Sequence, residues 1–186
     1  MKKILAILAL AATSTAFAGD SITLERSNID NVGSTDQTQY QMMYKHTFTN
    51  NFAGDLQFQN TTNNSTSALS TRIEGGVTVS EKVAGPIGVY VRTAAGQKYS
   101  NTTDFSYWSV EPGVTADVPG ISGLTAKVGY RYRTAFDSTK NGDQTNTMRY
   151  SLTYAVTKVD AVGVRYDRVN GDNDQKTIAF NYTRSF

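Results

Sequence analysis

Residues 176–186 read KTIAFNYTRSF. Taken alternately, Ile178, Phe180, Tyr182, Arg184 and Phe186 form one set, and Thr177, Ala179, Asn181, Thr183 and Ser185 the other. A period of two marks a strand whose two faces meet different surroundings. Here one face is apolar and aromatic and the other is small and polar. Such a face packs on a protein core or lies against lipid, and aromatics carried to the last residue favour lipid. Arg184 breaks the apolar rule, but it stands near the strand end, where its side chain can extend to headgroups.

At the other end, Lys2 and Lys3 precede the apolar run 4–12, and Ala16-Phe17-Ala18 supplies a small-x-small cleavage site. This is the pattern of an export signal over residues 1–18, leaving one mature domain over 19–186. The run is too short for a transmembrane helix, which needs roughly 20 apolar residues. Nothing later is apolar enough either, so a membrane-spanning form must be a closed barrel, because lipid offers no partner to an open sheet edge.

Losing Lys2 and Lys3 takes two of eighteen basic residues and leaves sixteen against sixteen acidic ones, so the mature domain is neutral. The chain has no Cys, which excludes a disulfide framework, a thiolate nucleophile and a zinc-thiolate site. Three Pro, fifteen Gly and abundant Thr, Tyr and Val describe an all-β chain. Its low mean hydropathy suits a barrel with a wet lumen, where half of each strand faces water.

Alternating segments recur along the chain at about 20–29, 38–49, 52–62, 68–80, 86–96, 104–118, 122–135, 145–157, 160–169 and 175–186. The connections alternate too. Odd segments are followed by the polar stretches DNVGSTDQ, NNSTS, QKYSNTT, FDSTKNGD and NGDND, and even ones by short links at 50–51, 81–85, 119–121 and 158–159. Polar, turn-rich stretches are exposed loops. The pattern predicts a transmembrane antiparallel up-and-down β-barrel of about ten strands, with eight and twelve as alternatives, and both termini on the short-turn, periplasmic side.

The outward sets are consistently apolar, for example Tyr40, Met42, Tyr44, His46 and Phe48, or Met148, Tyr150, Leu152, Tyr154 and Val156. The same alternation would serve a β-sandwich, but a sandwich core usually holds more small apolar residues. The opposite faces carry Glu25, Lys45, Arg72, Glu74, Arg92, Glu111, Lys127, Arg131, Arg133, Arg149, Arg165 and Asp167. Cations prevail in this predicted lumen. Asp30, Asp36, Asp104, Asp137, Asp143, Asp172 and Asp174 fall in or beside the long loops, so a basic interior is expected under an acidic rim.

The ending at 176–186 resembles the carboxyl-terminal strand of bacterial outer-membrane barrels. Residues 107–136, YWSVEPGVTADVPGISGLTAKVGYRYRTAF, resemble the oligogalacturonate-specific porin family of small monomeric outer-membrane channels. The shared features are a strand with a Pro-Gly step, a short turn, and a strand with the aromatic-Arg run Gly129-Tyr130-Arg131-Tyr132-Arg133. The resemblance implies that Arg131 and Arg133 belong to lumen-facing basic tracks along which acidic sugars pass. That family is built with about twelve strands, whereas this chain has room for about ten with ordinary loops.

The function expected is a narrow, mildly anion-preferring channel for small acidic solutes such as acidic oligosaccharides, lined by Arg72, Arg92, Lys127, Arg131, Arg133, Arg149 and Arg165 with Glu74 and Glu111. The alternative is a structural or adhesive barrel plugged by its own salt bridges, because ten strands lie between filled and open barrels. An enzyme is not expected, since the only His, His46, falls on the outward set. DRVNGDND at 167–174 lacks a recognised Ca²⁺-loop spacing, no cofactor or metal site is expected, and no phosphate loop or nucleic-acid motif is present. The expected setting is a monomer in the bacterial outer membrane. Its partners there are lipid, lipopolysaccharide, small anionic solutes and the barrel-assembly machinery, which would read Phe186 and Tyr182.

Overall fold

A computed structural model describes residues 19–186 apart from 32–34, 102, 138, 140–143 and 173. The expected export signal and its cleavage after Ala18 lie outside the described residues, as does Asp143 of the expected rim. The described residues form ten strands: β1 Asp20–Asn31, β2 Gln37–Thr49, β3 Phe52–Asn63, β4 Leu69–Ala84, β5 Ile87–Ser100, β6 Phe105–Asp117, β7 Leu124–Ala135, β8 Thr145–Ala155, β9 Asp160–Gly171 and β10 Gln175–Ser185. Each is antiparallel to its sequence neighbours, and β1 closes the ring on β10 from Ser21↔Ser185 to Asn31↔Gln175. The Asp20 carbonyl also accepts from the Phe186 N–H at 2.9 Å. Every strand therefore has two partners and the sheet has no edge.

Burial inverts the rule for proteins in water. Large apolar side chains such as Leu56, Val79, Leu152 and Phe180 are exposed on the outer wall, while Glu25, Glu74, Arg92, Glu111, Arg133 and Asp167 are buried inside. A continuous apolar belt would drive association in water. In lipid it is the ordinary solvent-facing surface, and this fold is a membrane-spanning barrel.

Strand limits differ from the sequence expectation mainly in β4 and β5. β4 runs to Ala84 and β5 to Ser100, so the 81–85 link contracts to a turn at Gly85 and Pro86. Gly85 has φ 51°, a left-handed conformation that side chains other than glycine rarely adopt. Beyond the belt both strand faces are wet, so alternation fades before pairing ends. The ladder between β6 and β7 breaks between Val110↔Tyr132 and Gly113↔Gly129. Pro112 lies in that gap, and its ring nitrogen has no hydrogen to donate.

Candidate functional site

The barrel interior holds a cavity of about 640 Å³. Its lining runs from Ser80, Thr115 and Thr183 at the turn end to Asn31, Gln37 and Gln175 at the loop end. Arg72, Glu74, Arg92, Glu111, Lys127, Arg131, Arg133, Arg149 and Arg165 all border it. So do Lys45, Glu25 and Asp167, together with Lys98 and Asp55, which the sequence reading did not single out. Nine basic side chains (Lys45, Arg72, Arg92, Lys98, Lys127, Arg131, Arg133, Arg149, Arg165) thus face five acidic ones (Glu25, Asp55, Glu74, Glu111, Asp167), an excess of four positive charges.

Two ion networks hold the acids. In the first, Arg92 of β5 grips Asp55 of β3 with two donors, Nε to Oδ2 at 2.9 Å and Nη2 to Oδ1 at 2.6 Å. Its Nη2 also meets Glu74 Oε1 of β4 at 2.8 Å. In the second, Arg149 of β8 donates to Asp167 of β9 at 3.1 and 3.2 Å and to Glu111 of β6 at 2.8 Å. Arg165 of β9 joins Asp167 at 3.2 Å and Glu25 of β1 at 2.9 Å. Lys127 of β7 lies 3.6 Å from Glu111, which also accepts from the Tyr90 hydroxyl at 3.0 Å.

Strand register alone does not choose these partners. Arg92 stands directly opposite Glu111, yet it turns the other way, across β4, to Asp55. The opening is Gly76, which is paired with Asp55; a Cβ there would meet Arg92 Nη2 at 2.5 Å. Tyr90 likewise lies flat on Gly113 and Gly129, where added Cβ atoms would collide with its ring and hydroxyl. Tyr107, 1% exposed, lies over Gly96. Inward glycines are notches that let long side chains run along the wall instead of across the lumen.

The remaining cations are held differently. Arg72 and Arg133 approach the Tyr107 ring at 5.9 and 5.4 Å, and Lys98 lies 5.1 Å from the Phe105 ring, distances at which the ring quadrupole attracts a cation. Among the described residues, Arg131 and Lys45 make no ion pair with a carboxylate, and Arg131 Nε is buried without a hydrogen-bond partner. Arg131 and Arg133 are adjacent inward positions in the loop-end half of β7.

Outside the lumen, His46 is on the outer wall at the turn end, its Nδ1 2.5 Å from Asp20 Oδ1 and its ring edge-on to Phe48 at 4.5 Å. Arg184, read from sequence as reaching for headgroups, has a protein partner in Asp160 at 3.6 Å. Asp30, Asp36, Asp104, Asp137, Asp172 and Asp174 are exposed at the loop end, as the acidic rim requires. Among the described residues, no three His, Asp or Glu side chains gather into a metal-ligand set.

Asp55 escaped the sequence reading because β3 is weakly patterned: its outward set is apolar at Leu56 and Phe58 but not at Gly54, Asn60 or Thr62, which leaves the inward face of the strand poorly marked. Tyr90 and Tyr107 escaped it because inward aromatics are unexpected in a wet lumen. Glycine at the facing position of the neighbouring strand is the signal that could have found them.

No protein-family model and no curated protein matches the sequence. Solved structures do match the fold. An outer membrane channel from Pseudomonas putida F1 aligns with a TM-score of 0.57 at 8% identity, over 93% of this chain and 97% of that one. The KdgM porin in complex with disordered oligogalacturonate aligns with a TM-score of 0.54 at 12% identity, over 89% and 99%. The chain has the fold of small outer-membrane porins. The NanC porin agrees, with a TM-score of 0.53 at 12% identity over 88% and 98% of the two chains. At these identities the likeness concerns the fold.

Proposed function

We propose that this protein is a narrow, monomeric channel of the bacterial outer membrane that passes small anionic solutes, acidic oligosaccharides among them, in preference to cations. Export through cleavage after Ala18 and assembly through a β10 recognised at Tyr182 and Phe186 belong to the same proposal. The carrying observation is the lumen's charge. All five carboxylates are engaged by Arg92, Lys127, Arg149 and Arg165, and the cavity keeps an excess of four positive charges. A confined path with low-dielectric walls strengthens such a field and admits anions more readily than cations. The fold shared with a porin solved with oligogalacturonate supports the choice of solute class.

A plugged barrel would tie charges across the lumen. Here the ion pairs of the two networks join strands at most two apart around the ring: β5 to β4 and β3, β8 to β9 and β6, β7 to β6, and β9 to β1. Pairs of this kind lie along the wall, which supports the open reading.

Refolded protein in planar bilayers tests it. Wild type gives discrete conductance steps, and a salt gradient gives a zero-current potential of the anion-selective sign. R131E/R133E converts two cations to two anions and takes the lumen from an excess of four to neutral. Each charge acts on a small ion about 6 Å away with about 0.7 kcal/mol in a water-like medium, roughly halved by screening at 0.15 M. The four-unit change therefore alters anion occupancy by about tenfold, and the selectivity is lost or reversed. A silent wild type returns the plugged barrel. A conducting pair with identical potentials removes the arginines from the path.

A further inference from the structure

On three consecutive strands of the outer wall, the outward-facing residue that follows the last apolar one of its own strand toward the loop end is a cation. Arg168 follows Tyr166 on β9, Lys176 follows Ile178 on β10, and Arg26 follows Leu24 on β1. The equivalent residues on β2, β3, β6, β7 and β8 are the uncharged Thr38, Asn60, Ser106, Thr134 and Asn146. No strand from β2 to β8 carries an outward cation in its loop-end half. The row is confined to the closing seam. Lys176 stands directly opposite Arg168. Arg26 lies opposite Phe180 on one side and Tyr40 on the other, both exposed on the belt.

The turn end of the same seam makes the contrast. There the outward Arg184 has Asp160 at 3.6 Å, and Asp160 also accepts from the Tyr182 hydroxyl at 2.5 Å. At the loop end, Arg26 and Lys176 make no ion pair among the described residues. Only Arg168 has one, to the half-exposed Asp174 at 3.6 Å. Asp30 stands directly beside Lys176 across the seam, and Asp174 lies beyond Lys176 toward the loop. A cation on the lipid-facing wall is unfavourable except near the interface, where it can reach an anion.

We propose that this row docks the phosphorylated headgroup of a lipid in the external leaflet, namely the phosphates of lipopolysaccharide. Cations at the belt margin complement phosphate charge, and Ile178, Phe180 and Tyr40 lie beside them for acyl chains. That two-part surface fits an amphiphile and not a free phosphate. The inference rests on the loop end facing outward and is independent of conduction.

Wild type and R26Q/K176Q/R168Q, refolded in detergent, are titrated with bisphosphorylated lipid A, with dephosphorylated lipid A and with inorganic phosphate, and complexes are counted by native mass spectrometry. Near a membrane surface each Lys or Arg contributes about fivefold to binding an anionic headgroup, so the triple variant binds bisphosphorylated lipid A on the order of a hundredfold more weakly. R184Q, at the other end of the seam, leaves binding unchanged. The retarded or advanced band of unboiled protein on a denaturing gel verifies folding. If the triple variant does not fold, R26Q/K176Q carries the test with about a 25-fold loss. Equal binding by wild type and variant overturns the site, as does equal binding of the dephosphorylated lipid. Displacement of lipid A by inorganic phosphate at matching concentration makes it a free-phosphate site and overturns the lipid assignment.

Discussion

Arg149→Met tests whether the larger ion network holds the barrel together. The guanidinium makes three charge-assisted hydrogen bonds, two to Asp167 at 3.1 and 3.2 Å and one to Glu111 at 2.8 Å. Both acceptors are shielded, with side-chain exposures of 1% for Glu111 and 5% for Asp167. Hydrogen bonds to charged groups contribute about 1.5–3 kcal/mol each, which sets an upper limit well above the expected loss. Neither carboxylate is wholly abandoned: Glu111 keeps Tyr90 at 3.0 Å and Lys127 at 3.6 Å, and Asp167 keeps Arg165 at 3.2 Å. The expected destabilisation is therefore about 3 kcal/mol, the low end of what breaking a buried ion pair costs. Methionine fills much of the volume, so the loss reports charge more than packing. Trp108, the only tryptophan, sits on the outer wall with its ring 5.6 Å from Tyr132, and its fluorescence follows unfolding in urea from lipid vesicles. Adding Glu111→Gln removes the stranded charge and should recover at least 1 kcal/mol, because the cost lies in an under-partnered carboxylate. R149M within about 0.5 kcal/mol of wild type, or a double variant less stable than the single, refutes the reasoning.

Gly113→Ala puts a methyl where the Tyr90 ring lies; overpacking of this kind costs about 1–3 kcal/mol. The displaced ring has the lumen to move into, so urea stability and single-channel conductance fall together, and a change in neither denies the notch its role. At the seam, Tyr182→Ser with deletion of Phe186 removes the hydroxyl held by Asp160 and the N–H on the Asp20 carbonyl. The amount of folded, heat-modifiable barrel recovered from outer membranes should drop, and normal recovery would show that β10 closes on β1 without them.

The fold was legible because lipid and water impose opposite demands on neighbouring residues of every strand. Tyr40, Met42 and Tyr44 against Gln39, Gln41 and Lys45 need no homologue to interpret. The site was legible only as a list of inward positions. Which carboxylate each arginine reaches depends on side-chain direction, which strand periodicity does not encode: Arg92 passes over its register partner Glu111 and crosses Gly76 to Asp55. The ends of β4 and β5 were hidden for a related reason, since Glu81, Lys82 and Gln97 lie where neither face meets a strongly apolar surface.

The two networks and the surplus cations have different tasks, and the geometry separates them by residue. Among the described residues the apolar core is slight, the one buried hydrophobic cluster being Phe105, Tyr107 and Ala135. Backbone pairing closes the ring, and the carboxylates then fix side chains against the wall. Asp55 and Glu74 clamp β3, β4 and β5 through Arg92, and Glu25, Glu111 and Asp167 link β6, β7, β8, β9 and β1 through Lys127, Arg149 and Arg165. Such linked bonds reinforce one another where water is scarce. Arg131 and Lys45 stand outside those links, so they add to the field of the lumen without being needed to hold it in shape. Neutralising a carboxylate would raise the positive excess while loosening the wall, whereas neutralising Arg131 would lower the excess and leave the wall intact. Stability and the proposed selectivity are therefore separable at Arg131, where a substitution changes the charge of the lumen without rebuilding the networks.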